Sequence, residues 1–136
     1  MPPDLSMSST SSVAPRTILV ADDTRDAAEV IGRMLEQAGY TALCAHSARE
    51  ALDLLDEHDD IALVLSDVRM PGIDGFDLVR VLRHRFPALP VILMTGLPVT
   101  DEDAAPTGVE VLQKPLDLAL LDERIRARLA DEGATR

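Results

Sequence analysis

Ile61-Ala62-Leu63-Val64-Leu65-Ser66-Asp67-Val68-Arg69-Met70-Pro71-Gly72-Ile73-Asp74-Gly75 is the stretch on which the fold turns. Ile61–Ser66 is a near-continuous apolar run, which marks a strand covered on both faces, as in parallel sheets flanked by helices. A half-solvated antiparallel strand would alternate instead. Met70-Pro71-Gly72 then makes a turn, and Asp74 is placed to cap a helix that buries Leu78, Val79 and Leu82. A buried strand therefore ends at an acid, Asp67, and passes through a turn into an amphipathic helix.

The same alternation extends in both directions. Upstream, from Thr17, the run Ile18-Leu19-Val20-Ala21 reads as a strand, followed by Ala27, Ile31, Met34, Leu35 and Ala38 on one helical face and a stop at Gly39. Thr41–Ala45 reads as a second strand, and Ser47-Ala48-Arg49-Glu50 has capping-box spacing before Ala51, Leu52 and Leu55. Downstream, Pro90 opens the run Val91–Met94, Val109–Leu112 supplies a fifth strand, and Leu118, Leu121, Ile125 and Leu129 stripe a last helix that Asp117 can cap. Between Thr95 and Lys114, Pro98, Pro106 and Gly108 leave only Thr100–Ala105 for a helix, so a fourth helix is expected to be short, displaced or irregular. Five successive βα units, with right-handed crossovers and no hairpin signals, imply an α/β fold: a doubly wound five-stranded parallel sheet with helices on both faces.

A chain of 136 residues fits one domain with an adequate core. Residues 1–15 hold Pro2, Pro3, Pro15 and a Ser/Thr-rich run, and are expected to form a disordered leader or linker. The folded unit is expected over 16–131, with 132–136 a flexible tail. Twenty-four acidic against 13 basic residues give a formal charge of −11, which repels nucleic-acid phosphates and anionic membrane surfaces alike. The single cysteine, Cys44, sits in an apolar stretch and reads as a small buried hydrophobe in a reducing cytosol. No apolar run approaches the ~18 residues of a membrane span, and the start lacks a signal core, so a cytoplasmic location without membrane insertion is expected.

In doubly wound sheets ligands bind beyond the carboxyl ends of the strands. Those exits carry Asp22-Asp23, Asp67, Thr95 and Lys114-Pro115. Any one of these alone reads as a turn acid, a turn hydroxyl or a surface lysine. Gathered at one end of one sheet, three carboxylates repel unless a cation neutralises them, and an all-oxygen set of Asp22, Asp23 and Asp67 suits magnesium. Magnesium and Lys114 would balance the three acids. Phosphorylating Asp67 would upset that balance, calling for the Thr95 hydroxyl and the Lys114 ammonium as added donors. The chemistry would be attack of the ionised Asp67 carboxylate on phosphorus, without a general base.

These residues resemble the receiver domain of two-component response regulators, of the chemotaxis-regulator type, over about residues 16–130. The resemblance rests on Ile18–Asp23, Leu63–Gly75, Met94-Thr95-Gly96 and Lys114-Pro115, in that order and spacing. It implies a flavodoxin-like fold with Asp67 as phosphoacceptor, Asp22 and Asp23 as the acidic pair, Thr95 as the switch hydroxyl and Lys114 as the charge-stabilising lysine. It also implies magnesium ligation by the Arg69 main-chain carbonyl and a cis peptide between Lys114 and Pro115. The implied partners are a sensor histidine kinase or histidine phosphotransfer protein as phosphodonor, and a downstream protein target. In this family the domain promotes its own phosphorylation and slow dephosphorylation and is not a turnover enzyme. The chain is then expected to be a stand-alone regulator or the terminal receiver of a longer kinase.

Two positions depart from the family. Val111 stands three residues before the lysine, where Phe or Tyr is usual, and the segment between Thr95 and Lys114 is short. Both fall on the usual output face, so signalling is expected to use another surface or an order–disorder change in the Gly96–Gly108 loop. Leu97, two residues after Thr95, cannot orient a hydrolytic water, which implies a long-lived acyl phosphate. A haloacid-dehalogenase-like phosphatase would need an acid where Arg69 stands, and a flavin module would need a phosphate loop after strand one. A degenerate receiver serving only as an interaction module is the remaining alternative. His46, His58 and His84 lack metal-ligand spacing and read as solvent or helix-end residues, and Arg124, Arg126 and Arg128 read as complementing the dipole of the last helix.

Overall fold

The computed structural model describes residues 16–97 and 108–134. Its elements are β1 (Thr17–Ala21), α1 (Arg25–Gln37), β2 (Thr41–Ala45), α2 (Ala48–Glu57), β3 (Ile61–Asp67), α3 (Gly75–Arg85), β4 (Val91–Thr95), β5 (Glu110–Gln113) and α4 (Leu118–Ala134). The five strands form one parallel sheet in the order β2-β1-β3-β4-β5. This is the flavodoxin-like arrangement, and the strand order reverses between β1 and β3, which opens a crevice at their carboxyl ends. The expectations for residues 1–15 and for a short or irregular helix within 98–107 lie outside the described residues, whereas the tail expected from 132 is instead helical as far as Ala134, because the last helix continues.

The strand limits differ from the apolar runs in an informative way. β3 runs two residues past its last hydrophobe, Leu65, through Ser66 to Asp67, β4 runs one past Met94 to Thr95, and β5 is displaced by one, to Glu110–Gln113. Backbone pairing is indifferent to side-chain polarity, so the ladder carries on: Asp67 is in register with Met94, and Thr95 with Gln113. Val68 N–H donates to Met94 O at 2.9 Å and Lys114 N–H to Thr95 O at 2.7 Å. Two of the candidate site residues are thereby held by the sheet itself.

α2, α3 and α4 start where side chains satisfy the orphan amides of a first turn, whereas α1 starts after Thr24 without a side-chain cap. Ser47 Oγ accepts from Glu50 N at 3.0 Å, Asp74 Oδ1 from Asp77 N at 2.8 Å and Asp117 Oδ1 from Ala119 N at 3.1 Å. The core is double. Leu19, Val64, Leu93, Ala51, Leu78 and Leu82 lie on the face covered by α2 and α3. Ile18, Val20, Leu65, Ile92, Ile31, Leu35, Leu121 and Ile125 lie on the face covered by α1 and α4. Each such Leu or Ile, fully withdrawn from water, contributes about 1.5–3 kcal/mol. Val111 is half-buried and packs on the α2/α3 side. Cys44 is half-buried, with Sγ donating to Ala28 O at 3.5 Å, and burial, with Glu29, Glu36 and Glu50 nearby, pushes its thiol up.

The arginines of α4 correct the sequence reading. The helix runs to Ala134, so all three lie before its last turn, outside the reach of the terminal dipole. Arg124 Nη2 and Arg128 Nε instead donate to Glu110 Oε1 of β5 at 3.2 and 2.9 Å, and Arg126 Nε to Asp122 Oδ1 at 3.0 Å. Burial alone would raise the Glu110 carboxyl, but the two guanidiniums outweigh it and hold it below the usual carboxylate range.

Tyr40 ties the start of β2 to α4 by donating to Asp122 Oδ1 at 2.9 Å. Burial, the bond to Asp122 and the Asp122 charge push the phenol from 10.0 up to about 12. A folded pKa above the unfolded one stabilises fully below pH 10, and that stability is lost as pH rises from 10 to about 12. Tyr40 is the single tyrosine of the chain, so tyrosinate absorbance reads it alone. The titration midpoint is expected near 12 in buffer and near 10 in concentrated urea. A midpoint near 10 without urea would show that the Asp122 bond is not kept in solution.

Candidate functional site

The crevice gathers what the strand exits promised. Asp22 follows β1 and is fully buried. Thr24 N–H donates to its Oδ1 at 2.9 Å, and Lys114 Nζ to its Oδ2 at 2.9 Å. Asp23, next in the chain, is exposed at the mouth, while Asp67 at the end of β3 is 9% exposed. Lys114 Nζ also reaches Asp67 Oδ2 at 3.4 Å, and Arg69 N–H faces Asp67 Oδ1 at 3.4 Å. Carboxylate oxygens of Asp22, Asp23 and Asp67 lie within 4.8 Å of one another. Lys114 follows β5, and its peptide bond to Pro115 is cis, as the resemblance implied.

Thr95 is nearly fully buried at the end of β4. Its hydroxyl accepts from Leu97 N–H and donates to Leu97 O, both at 3.1 Å, which turns it toward its own loop. Arg69 is exposed at the start of the turn after β3. Leu97 is 47% exposed.

Charge decides what this cluster can hold. Three carboxylates against one ammonium leave two net negative charges, one among the buried Asp22 and Asp67 with the half-buried Lys114 and one on the exposed Asp23. Burial raises the Asp67 carboxyl above 3.8, Asp22 adds to the rise, and the opposing attraction of Lys114 does not cancel it. Burial disfavours the Lys114 ammonium, yet its bond to Asp22 and the charges of Asp67 and Asp22 prevail and raise it. An excess of buried negative charge on oxygen donors alone, with one acid open to solvent, fits a hard divalent cation.

Gly75 completes the site, and sequence reasoning assigned it no role. It is the first residue of α3, and its N–H donates to Val68 O at 2.8 Å. A Cβ there would stand 2.6 Å from Asp67 O and 2.8 Å from Val68 Cα. Glycine is needed because α3 begins in contact with the main chain of Asp67 and Val68. The available signal was a glycine at the first turn of a well-capped helix, where it costs stability unless something needs the space. Gly75→Ala is expected to destabilise the fold by about 3 kcal/mol through overpacking against backbone. Urea denaturation would read this directly; a loss under ~0.5 kcal/mol would mean that α3 moves away freely.

Known proteins place this geometry. The model of the response regulator receiver domain matches residues 18–126. The response regulator MprA of Mycolicibacterium vanbaalenii is 38% identical over 127 residues, 88% of this chain and 54% of that protein. The transcriptional regulatory protein TctD of Salmonella typhimurium is 35% identical over 116 residues, 82% of this chain and 51% of its own length. The chain thus spans about half the length of these curated relatives. A receiver domain from Clostridium thermocellum superposes with TM-score 0.81 at 29% identity, over 89% of this chain and 99% of that one. The receiver domain of a histidine kinase from Syntrophus aciditrophicus gives 0.77 at 29%, over 85% and 91%. No described helix is long and apolar enough to cross a membrane. With the family model matched over residues 18–126 and solved receiver domains superposing on its fold, the chain belongs to the response regulator receiver domain family of two-component signalling.

Proposed function

We propose that this chain, folded from residue 16 through the end of α4, is a phosphoacceptor: Asp67 takes a phosphoryl group from a phosphohistidine and thereby switches protein–protein contacts. The observation that carries the reading is the Lys114 ammonium set between Asp22 and Asp67, 2.9 and 3.4 Å away, with a third acid beside them. Asp22, Asp23, Asp67 and the main-chain carbonyl of Arg69 would hold magnesium, which supplies charge neutralisation on the transferring group when bound.

The chain's own residues do the remainder. An Asp67 oxygen attacks phosphorus, the phosphorus–nitrogen bond of the donor breaks with its electron pair returning to the imidazole, and an acyl phosphate forms. Lys114 pairs with the added charge. Thr95 exchanges its bonds to Leu97 for a phosphoryl oxygen, and residues 96 and 97 lose that anchor. Leu97, unable to orient water, leaves the acyl phosphate long-lived. The partners are a sensor histidine kinase or a histidine phosphotransfer protein upstream and a protein target downstream, with no direct nucleic-acid contact, in the cytoplasm. The domain promotes its own modification and does not turn over substrate.

Intact mass after incubation with acetyl phosphate tests this reading. One phosphoryl group is expected to appear with magnesium and not in excess chelator. No gain, together with no binding of beryllofluoride, would overturn it and leave an interaction module.

A further inference from the structure

His46 stands one residue beyond β2, at the same end of the sheet as the acidic cluster, and is half-buried. Its Nδ1 lies 3.4 Å from the main-chain O of Asp22, and its Nε2 lies 3.3 Å from Nη1 of Arg25. A guanidinium can only donate, so Nε2 accepts from Arg25 and carries no proton. The ring proton is then on Nδ1, which donates to the Asp22 carbonyl. One neutral tautomer satisfies both contacts, and the other satisfies neither.

The ring is itself anchored. His46 N–H donates to Glu50 Oε1 at 2.8 Å, and Glu50 N–H donates to Ser47 Oγ at 3.0 Å, so the first turn of α2 holds the residue in place. This differs from a closed capping box, since Glu50 reaches past the cap residue to the one before it. From the neighbouring strand, Asp22 N–H donates to Ala45 O at 3.0 Å. The peptide groups on both sides of Asp22 are thus tied to Ala45 and His46, while its carboxylate is tied to Thr24 and Lys114. Arg25, which opens α1 just after the acidic pair, is joined to the same ring.

We propose that His46 is a positioning residue for the acidic pair: bonded to the Asp22 carbonyl and to Arg25, it fixes the main chain of residues 22–25 so that Asp22 and Asp23 keep their place beside Asp67. This rests on the reading that the cluster holds magnesium. Residues that orient ligands from outside typically govern metal affinity by about 10–100-fold.

Magnesium titration calorimetry on the full chain tests it, with native protein, His46→Ala, His46→Asn and His46→Gln. His46→Ala is expected to bind magnesium about tenfold more weakly than native. An Asn amide N–H falls where Nδ1–H stands, so His46→Asn is expected to return to within about twofold of native, whereas His46→Gln, which places its amide where Nε2 stands, is not. In the metal-free native chain, long-range nitrogen–proton NMR of the imidazole is expected to show Nδ1 protonated and Nε2 bare. Unchanged affinity in His46→Ala, equal rescue by Gln and Asn, or a protonated Nε2 would each overturn the proposal. If the native chain binds no magnesium, the proposed function falls with it; if it binds and the variants match it, only the role of His46 falls.

Discussion

Asp67→Asn is expected to abolish phosphoryl uptake from acetyl phosphate and, in the same chain without divalent cation, to raise stability at neutral pH. The first effect follows from chemistry. An amide is not a nucleophile toward phosphorus under these conditions, and the remaining acids, Asp22 and Asp23, are assigned by the proposed function to the metal. The second follows from electrostatics. Burial and the neighbouring Asp22 raise the folded pKa of Asp67 above 3.8. A group with a raised pKa contributes its stability below the unfolded value and loses it as pH rises through the folded one. At neutral pH the ionised Asp67 is therefore a burden on the metal-free fold, and an uncharged side chain of the same shape relieves it. Urea denaturation at neutral pH and near pH 3.5 reads the sign: the variant should be the more stable at neutral pH, with the advantage closing in acid. A variant less stable at neutral pH would mean that the pairing of Asp67 with Lys114 outweighs desolvation. Residual mass gain in the variant would place the acceptor elsewhere.

Lys114→Ala is expected to damage both the fold and the phosphoryl uptake. Asp22 has no exposure to water, and Lys114 Nζ at 2.9 Å is its only cationic partner among the described residues. Removing one member of a buried ion pair typically costs 3–5 kcal/mol, because the other charge stays buried and unpaired. Lys114 is 24% exposed in its side chain, so water can enter in its place and the lower end, about 3 kcal/mol, is expected in urea denaturation at neutral pH without metal. The loss should narrow in acid as Asp67 takes up a proton. Phosphoryl uptake should slow by about 10²–10³-fold, the usual effect of deleting one preorganised donor to a developing charge. An unchanged stability would show that the ammonium does not neutralise the cluster, and an unchanged rate that it does not meet the phosphoryl group.

The two variants separate structure from chemistry at one locus. On the proposed function, Asp67 is expected to lower the stability of the metal-free fold while supplying the reaction, and Lys114 to support both. A site that carries excess negative charge at rest is one that ligand binding can stabilise.

The sequence by itself determined the alternation of strand and helix, the parallel sheet, and the presence of Asp22, Asp23, Asp67, Thr95 and Lys114 at its exits. These were legible because burial imposes short periods on the chain: a run of apolar residues for a doubly covered strand, a 3.6-residue stripe for a covered helix. Caps such as Ser47, Asp74 and Asp117 act within three residues of themselves and are equally local. Only the tertiary structure decided what depends on separation. Lys114 meets Asp22 across 92 positions, Tyr40 meets Asp122 across 82, and His46 meets Asp22 across 24. The pairing of Arg124 and Arg128 with Glu110 overturned a dipole role because helix length and strand register, not composition, set which charges face each other. The need for Gly75 arises from the approach of one backbone to another at Asp67, a distance that no spacing in the chain encodes.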